Sequence, residues 1–449
     1  MRLNEWINQK FTQSISTQLE AESDDSVKTQ QSIKLSVVTQ YFPPDFAATG
    51  QLIEELVKQL GQQGVDVEVF TSQPGYAFHS EKAPSVERED GIRVKRSRTA
   101  QLWPGRIRGK AVNGILYTLR AVLYIFRAWQ RNNLLLVTTA PPFLPLVGYL
   151  AYLLFKLPYV CIIYDLYPDI AIALGVVSQR HWIVRLWYAL NRQVWLNAKG
   201  IVVLSPAMKQ RVLAHCPQVE DKISVIHSWA NPDLIVPIAK QENWFAWKYN
   251  LVKKFTVLYS GNMGRCHDID TMLEAAKELK HEPIQFVCIG GGAKREELIH
   301  EVNRLGLKNF TFLPYQEKQV LPYSLTACDL SFVSVDEITE GLVVPSKLYS
   351  ALAAGRPIAV ICSPYSYLRQ IVAEANCGGT FDNGDSHGLA QFIRLLSRDP
   401  QLAERMGKAG RQYLRSHFTP KLISQQYLDV LQQAVSTDEE IVVTQSNTN

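Results

Sequence analysis

Short apolar runs alternate along this chain with longer stretches in which apolar residues recur at helical spacing. In the first half the runs Leu35–Gln40, Val65–Thr71, Leu134–Thr138, Tyr159–Ile163 and Gly200–Leu204 read as strands, and Gln51–Gln63 reads as a helix. The second half repeats the alternation. Strands are predicted at Phe255–Ser260, Ile284–Ile289, Phe310–Leu313, Leu330–Val335 and Ile358–Ile361. Helices are predicted over Asp268–Leu279, from Lys294, over Ser386–Ser397 and Gln401–Arg415, and over Lys421–Val435. Strands that take turns with helices predict an α/β fold of parallel, doubly wound sheets. Between Asn231 and Lys248 the pattern breaks into a connector that holds Pro and Trp. A chain of 449 residues exceeds one ordinary core, so the break reads as a domain boundary. The division expected is a polar lead of disordered composition over 1–32, a Rossmann-like domain over 33–232 and a second over 250–415. A helix over 416–435 crosses back to the first domain, and a polar, disordered tail covers 436–449.

Composition changes this picture little. Hydrophobic residues make up 47% and charged residues 20%, as in ordinary globular proteins, and the net charge is +5. The distribution of that charge says more. No Asp or Glu occurs from Gly91 to Tyr164, while Arg93, Lys95, Arg96, Arg98, Arg106, Arg108, Lys110, Arg120, Arg127, Arg131 and Lys156 fall there. They are interleaved with Trp103, Tyr117, Tyr124, Phe126 and Trp129. Two readings stand: peripheral contact with an anionic membrane, or a solvated face backed by a core helix. Nucleic acid fits less well, because the aromatics share helical spacing with aliphatics. The first thirty residues are polar and lack the apolar core of a secretion signal. The run Phe143–Phe155 is too short to span a bilayer. Seven scattered cysteines read as reduced thiols of a cytoplasmic protein, with no disulfide framework and no metal site.

Candidate chemistry concentrates at strand ends, where open parallel sheets bind ligands. In the segment 337–357, Glu340 and Gly341 precede an apolar run and then Pro345, Ser346 and Lys347, which open a short helical pattern stopped by Gly355 and Pro357. Free N–H groups, a hydroxyl and an ammonium at a helix start suit a phosphate, and the upstream carboxylate suits sugar hydroxyls. A second feature is Gly261-Asn262-Met263-Gly264-Arg265, followed by His267. Its glycines permit close backbone approach, and Arg265 offers a fork of donors to phosphate oxygens. A third is the loop from Pro43 to Gly50, where Gly50 before a helix permits a similar approach. Gly290-Gly291-Gly292 lacks dinucleotide spacing. In the first half, Asp165 stands in Tyr164–Asp169 at a strand end, placed to order an acceptor hydroxyl or take its proton, or simply to cap the next helix. Isolated histidines (His79, His181, His215, His227, His417) lack metal spacing, and no Asp-x-Asp triplet supports a metal-held diphosphate.

Taken together, YFPPDFAATG (41–50), YDLYPDIAIALG (164–175), YSGNMGRCHDIDTMLEAA (259–276) and PSKLYSALAAGRPIAV (345–360) resemble the retaining family-4 glycosyltransferases of GT-B fold, nearest the bacterial exopolysaccharide and colanic-acid type. The resemblance runs from about residue 33 to 435. It implies a nucleotide-diphosphate-sugar donor on the second domain, a lipid-linked or saccharide acceptor on the first, and no catalytic metal or cofactor. It also implies that Arg265 and Lys347 neutralise the leaving diphosphate, that Glu340 contacts the donor sugar, and that Gly50 faces the diphosphate across the cleft. This chain departs from the family pattern where Ser350 replaces a second Glu, where Glu340 stands two residues early, and where Tyr164-Asp165 replaces a His. Two competing readings share the fold: a nucleotide-sugar 2-epimerase and a catalytically inactive scaffold subunit.

Overall fold

The computed structural model describes residues 32–45, 47–75, 83–97 and 107–446. Residues 1–31 of the polar lead, His79, Arg98, Trp103, Arg106 and the side chains of Arg108 and Lys110 lie outside the described residues.

Two sheets carry the fold. The first joins β1 (Lys34–Val38), β2 (Asp66–Thr71), β3 (Val86–Glu89), β4 (Ile92–Arg96), β5 (Leu134–Thr138), β6 (Tyr159–Ile163), β7 (Gly200–Val203) and β8 (Ile223–Val225). Its order is β3-β4-β2-β1-β5-β6-β7-β8, parallel except for the antiparallel pair β3–β4. The second joins β9 (Phe255–Ser260), β10 (Ile284–Ile289), β11 (Phe310–Leu313), β12 (Leu330–Ser334), β13 (Ile358–Ile361) and β14 (Gly378–Phe381). Its order is β11-β10-β9-β12-β13-β14, parallel throughout. Strands β5, β6, β10 and β13 are buried along their whole length. This is why they appear in the sequence as continuous apolar runs rather than alternating ones.

Four strands escape the apolar-run criterion. Strand β3 reads VERE, a charged edge that discourages further pairing, and β4 reads IRVKR with alternate residues buried. Asp90 (φ 50°) and Gly91 (φ 79°) join them in the two-residue Asp-Gly turn that favours tight hairpins. Strands β8 and β14 are short edge strands.

The basic run divides. Arg93 pairs with Glu68 at 3.1 Å, and buried Arg96 donates to Pro43 O (2.6 Å) and to Glu87 (2.8 Å). The hydroxyl of Tyr117 donates to Thr39 O and Phe70 O, and Tyr124 stacks on Phe70. These groups build the first domain and are not a free surface. By contrast, Arg120, Arg127 and Arg131 are exposed.

The last helix runs Pro420–Ser446 and lies on the first sheet and on helix Ala48–Gln62, with Ile423, Tyr427, Leu431 and Ala434 buried. It continues past 436, where the sequence analysis places a tail, because Ser436–Ser446 holds no Gly or Pro to stop it. Arg411 fastens the connector by donating to Pro232 O and Ile235 O, each at 2.6 Å. No helix of the described residues is long and apolar enough to cross a membrane.

Candidate active site

The carboxyl end of β9 leads into the loop Gly261–Gly264, and this loop owes its shape to the next strand end. Gly261 (φ 128°) takes a conformation that side chains avoid. Its N–H donates to Ile289 O at 2.8 Å, and Met263 N–H donates to Gly291 O at 2.6 Å. Gly290 and Gly292 let the two loops touch: a Cβ at Gly290 would overlap the Gly261 carbonyl, and one at Gly292 would stand 2.5 Å from Asn262 Oδ1. The Gly290–Gly292 turn is therefore a buttress for the 261–264 loop. The sequence signal for it was three consecutive glycines at a strand end.

Lys347 begins the helix Lys347–Ala353, with Ser346 just before it and Pro345 buried beneath. Its ammonium reaches back to the β9 end. It donates to Tyr259 Oη (2.7 Å) and Asn262 O (3.2 Å), lies 4.2 Å from the Tyr259 ring centroid, and stands 3.5 Å from His267 Nε2. No carboxylate pairs with it among the described residues. Burial lowers its pKa to about 7. His267 points Nδ1 at Ser334 O (2.8 Å), and a carbonyl can only accept, so the proton sits on Nδ1 and the Nε2 lone pair faces Lys347. Burial first and then Lys347 hold the His267 pKa down to about 3, so the ring is neutral. Lys294 donates to His267 O at 2.8 Å and keeps a further positive charge behind the loop. Arg265 is exposed and makes no hydrogen bond or ion pair among the described residues. Lys294 is paired with Asp336 at 4.0 Å, while no carboxylate pairs with Lys347 or Arg265 among the described residues, which leaves two cations for a diphosphate.

The two domains meet beside it. Leu166 N–H donates to Leu342 O (3.0 Å), Arg211 donates to Glu340 O (3.4 Å), and Gly341 (φ 76°) lies against Ala207. Asp165 is at this seam. It is half-buried, with its N–H on Thr139 Oγ1 (3.2 Å) and no hydrogen bond to its carboxylate among the described residues. Burial raises its pKa to about 6. Cys266 of the second domain is close enough for the Asp165 charge to add to the burial that pushes its thiol up. Glu340 places its carboxylate toward Ser363, Ser366 and Tyr367 beyond β13. Burial raises its pKa, and Oε2 has no hydrogen-bond partner among the described residues.

The structure therefore brings together Gly261, Asn262, Gly264 and Lys347, and sets Ser346 and Pro345 at the same helix start. Asp165 and Glu340 lie along the seam, with no hydrogen bond or ion pair to Lys347 among the described residues. Gly50 differs in kind. It is buried, and its close approach is to the chain's own backbone at Tyr41–Phe42, 3.0–3.1 Å from a Cβ placed there. Ser350 donates to Lys347 O of its own helix (3.0 Å). Sequence reasoning missed Tyr259, whose signal was only its place at the end of a buried strand, and gave no role to His267 or Lys294.

Residues 48–229 match the model of the Glycosyl transferase 4-like domain, and residues 241–413 match that of Glycosyl transferases group 1. The probable glycosyltransferase WbjE of Pseudomonas aeruginosa is 25% identical over 374 residues, covering 80% of this chain and 88% of that protein. Among solved structures, sucrose-phosphate synthase from Thermosynechococcus elongatus superposes with a TM-score of 0.72 at 19% identity, over 90% of this chain and 100% of that one. Anabaena HepE, solved in complex with UDP-glucose, gives a TM-score of 0.65 at 16% identity, over 89% and 99%. With one glycosyl transferase domain following the other, each built on its own parallel sheet, this chain is a glycosyltransferase of GT-B fold.

Proposed function

We propose that this enzyme transfers a sugar from a nucleotide-diphosphate-sugar, with retention and without a catalytic metal, to a lipid-linked or saccharide acceptor in exopolysaccharide or other cell-surface glycan synthesis. It works at the cytoplasmic face of the membrane. The observation that carries the reading is Lys347: a half-buried ammonium with no carboxylate partner among the described residues, held on Tyr259 beside a glycine loop. Such a charge is costly unless an anion arrives.

Lys347, Arg265 and the N–H groups of Asn262 and Gly264 receive the diphosphate. As the bond from the anomeric carbon to the leaving oxygen breaks, negative charge grows on that oxygen, and these preplaced donors stabilise it. Glu340 accepts hydroxyl hydrogens of the donor sugar. Asp165 orders the acceptor hydroxyl and draws its proton as the new glycosidic bond forms. HepE, solved with UDP-glucose, supports a donor of this kind. Neither competing reading gains a feature of its own. A 2-epimerase wants titrating acid–base groups around the sugar, and His267 is held neutral by burial and by the Lys347 charge.

The test is to incubate the protein with a panel of nucleotide-sugars and membrane extract. Nucleoside diphosphate should be released only when acceptor is present. Free epimer without acceptor would establish the epimerase instead, and no turnover with any donor would leave the scaffold.

A further inference from the structure

The first domain carries an apolar surface that the transfer chemistry does not use. Three helices lie side by side on its sheet: Ile107–Ala128 packs on Pro145–Phe155, which packs on Trp182–Asn197. Aromatic contacts knit them together, with Phe126 edge-on to Phe155 at 5.1 Å and Phe143, just before the second helix, stacked on Trp187 at 4.3 Å. Their outward sides are greasy. Ile115, Leu119 and Leu123 form one stripe on the first helix, Leu154 stands out from the second, and Trp182 and Leu186 from the third. Leu119 is 57% exposed and Trp182 67%. More than half of the large exposed apolar side chains among the described residues lie between Val112 and Leu186, so this is a patch and not ordinary scatter.

The charge on this face has one sign. Between Ile92 and Val219 the only acidic residues are Asp165 and Asp169. Exposed Arg120, Arg127, Lys156 and Arg185 stand among or beside the apolar positions. The inner side of the third helix grips the loop that bears Asp165. Trp187 stacks on Tyr167, Tyr188 Oη donates to Asp169 (3.1 Å), and Asn191 donates to Tyr167 O (2.7 Å).

We propose that this three-helix face docks on an anionic lipid bilayer, with its leucines and Trp182 in the headgroup–acyl boundary and its arginines on lipid phosphates. Apolar side chains ringed by Arg and Lys with no acid among them match that interface in both polarity and charge. A second copy of the chain matches poorly, because a two-fold pairing would set like charges against each other. The docking orientation has a consequence that rests on the acceptor role proposed for Asp165. The helix that enters the interface also holds the Asp165 loop, so a lipid-linked acceptor meets the carboxylate without leaving the membrane.

The experiment is flotation of the full chain with phosphatidylcholine vesicles, with and without phosphatidylglycerol, in low salt. The protein should float with the phosphatidylglycerol vesicles. The doubles Leu119→Glu/Leu123→Glu, Trp182→Glu/Leu186→Glu and Arg120→Glu/Arg127→Glu should each weaken binding by roughly tenfold or more. They should keep the wild-type melting temperature and its rise with UDP. Wild-type protein that stays in the soluble fraction overturns the proposal, as does flotation that the three doubles leave unchanged. A stable dimer that Leu119→Glu/Leu123→Glu splits overturns it in favour of a second copy. Loss of the UDP-dependent rise in wild type, with flotation intact, counts against the donor site alone.

Discussion

The Lys347 ammonium sits 4.2 Å from the centroid of the Tyr259 ring and donates to that ring's hydroxyl at 2.7 Å. Tyr259 passes the bond on to Asn262 O at 2.8 Å. The charge is thus positioned by neutral groups alone, from the end of one strand to the start of one helix. A cation–π contact and two hydrogen bonds fix its place, but they do not offset the loss of water as a counter-ion would.

This gives a pH signature. Free Lys347 loses its proton around pH 7, and a bound diphosphate would restore it. Binding of a nucleoside diphosphate should therefore take up a proton near neutral pH. Affinity should fall as pH rises from 7 toward 9, by up to about tenfold per unit. Titration calorimetry in two buffers of different ionisation enthalpy measures the uptake, and equal heats in both would remove Lys347 from the site. Lys347→Met should weaken nucleoside-diphosphate binding by roughly tenfold to a hundredfold.

Asp165 titrates in the opposite sense. It must be ionised to draw a proton, so turnover should rise as pH passes about 6. Asp165→Asn should cut kcat by roughly 10²–10⁴ and leave nucleoside-diphosphate affinity unchanged. The sign for stability follows from the raised pKa. Folded protein holds this proton up to about pH 6, above the range of an unfolded Asp, so ionisation costs stability as pH rises through that window. The Asn variant should therefore melt no lower than wild type at pH 7. A lower melting temperature would mean that the carboxylate has a structural partner.

Glu340 separates sugar recognition from nucleotide recognition. With Oε2 unpartnered and burial raising its pKa, it has an acceptor to offer. Glu340→Gln should lower affinity for a nucleotide-sugar by roughly ten- to a hundredfold. Affinity for the bare nucleoside diphosphate should not move. Equal losses for both ligands would relocate the sugar.

The glycine buttress can be tested through stability. Gly290→Ala puts a methyl into the Gly261 carbonyl at φ 128°, and should cost about 2–4 kcal/mol and weaken donor binding. Gly306→Ala also has positive φ, at 64°, but meets nothing within 4 Å, and should cost only about 1–2 kcal/mol. Urea denaturation of both variants compares them. Similar losses would show that backbone strain, and not the touching loops, sets the cost.

How much of this could be read beforehand follows from what each residue answers to. Strands β5, β6 and β13 are legible because parallel strands buried along their whole length are almost wholly apolar. The hairpin at β3–β4 is not, since an edge strand faces water and its charged sequence resembles a loop. Lys347 and the 261–264 loop are legible because glycine and a cation at strand ends have few structural uses. Tyr259 and His267 are not, because their role lies in contacts across two strand ends that sequence distance hides. Gly50 has a structural use that sequence distance hides, since it packs against the backbone at Tyr41. For Glu340, the spacing from Lys347 says nothing of the direction its side chain takes.

The returning C-terminal helix bears on how the chain comes off the ribosome. The sheet of the first domain is complete in sequence by Val225, yet helix Ala48–Gln62 and the strands β5–β7 lack their final cover until Ile423, Tyr427 and Leu431 have been synthesised. The second domain is made whole in between. The domain that begins synthesis is thus the one that finishes folding, and it waits with an open apolar flank while some two hundred residues are added, at about 5–20 residues per second. A ribosome-bound chain stopped at the connector should be a chaperone client, whereas the second domain can close on itself as soon as it emerges.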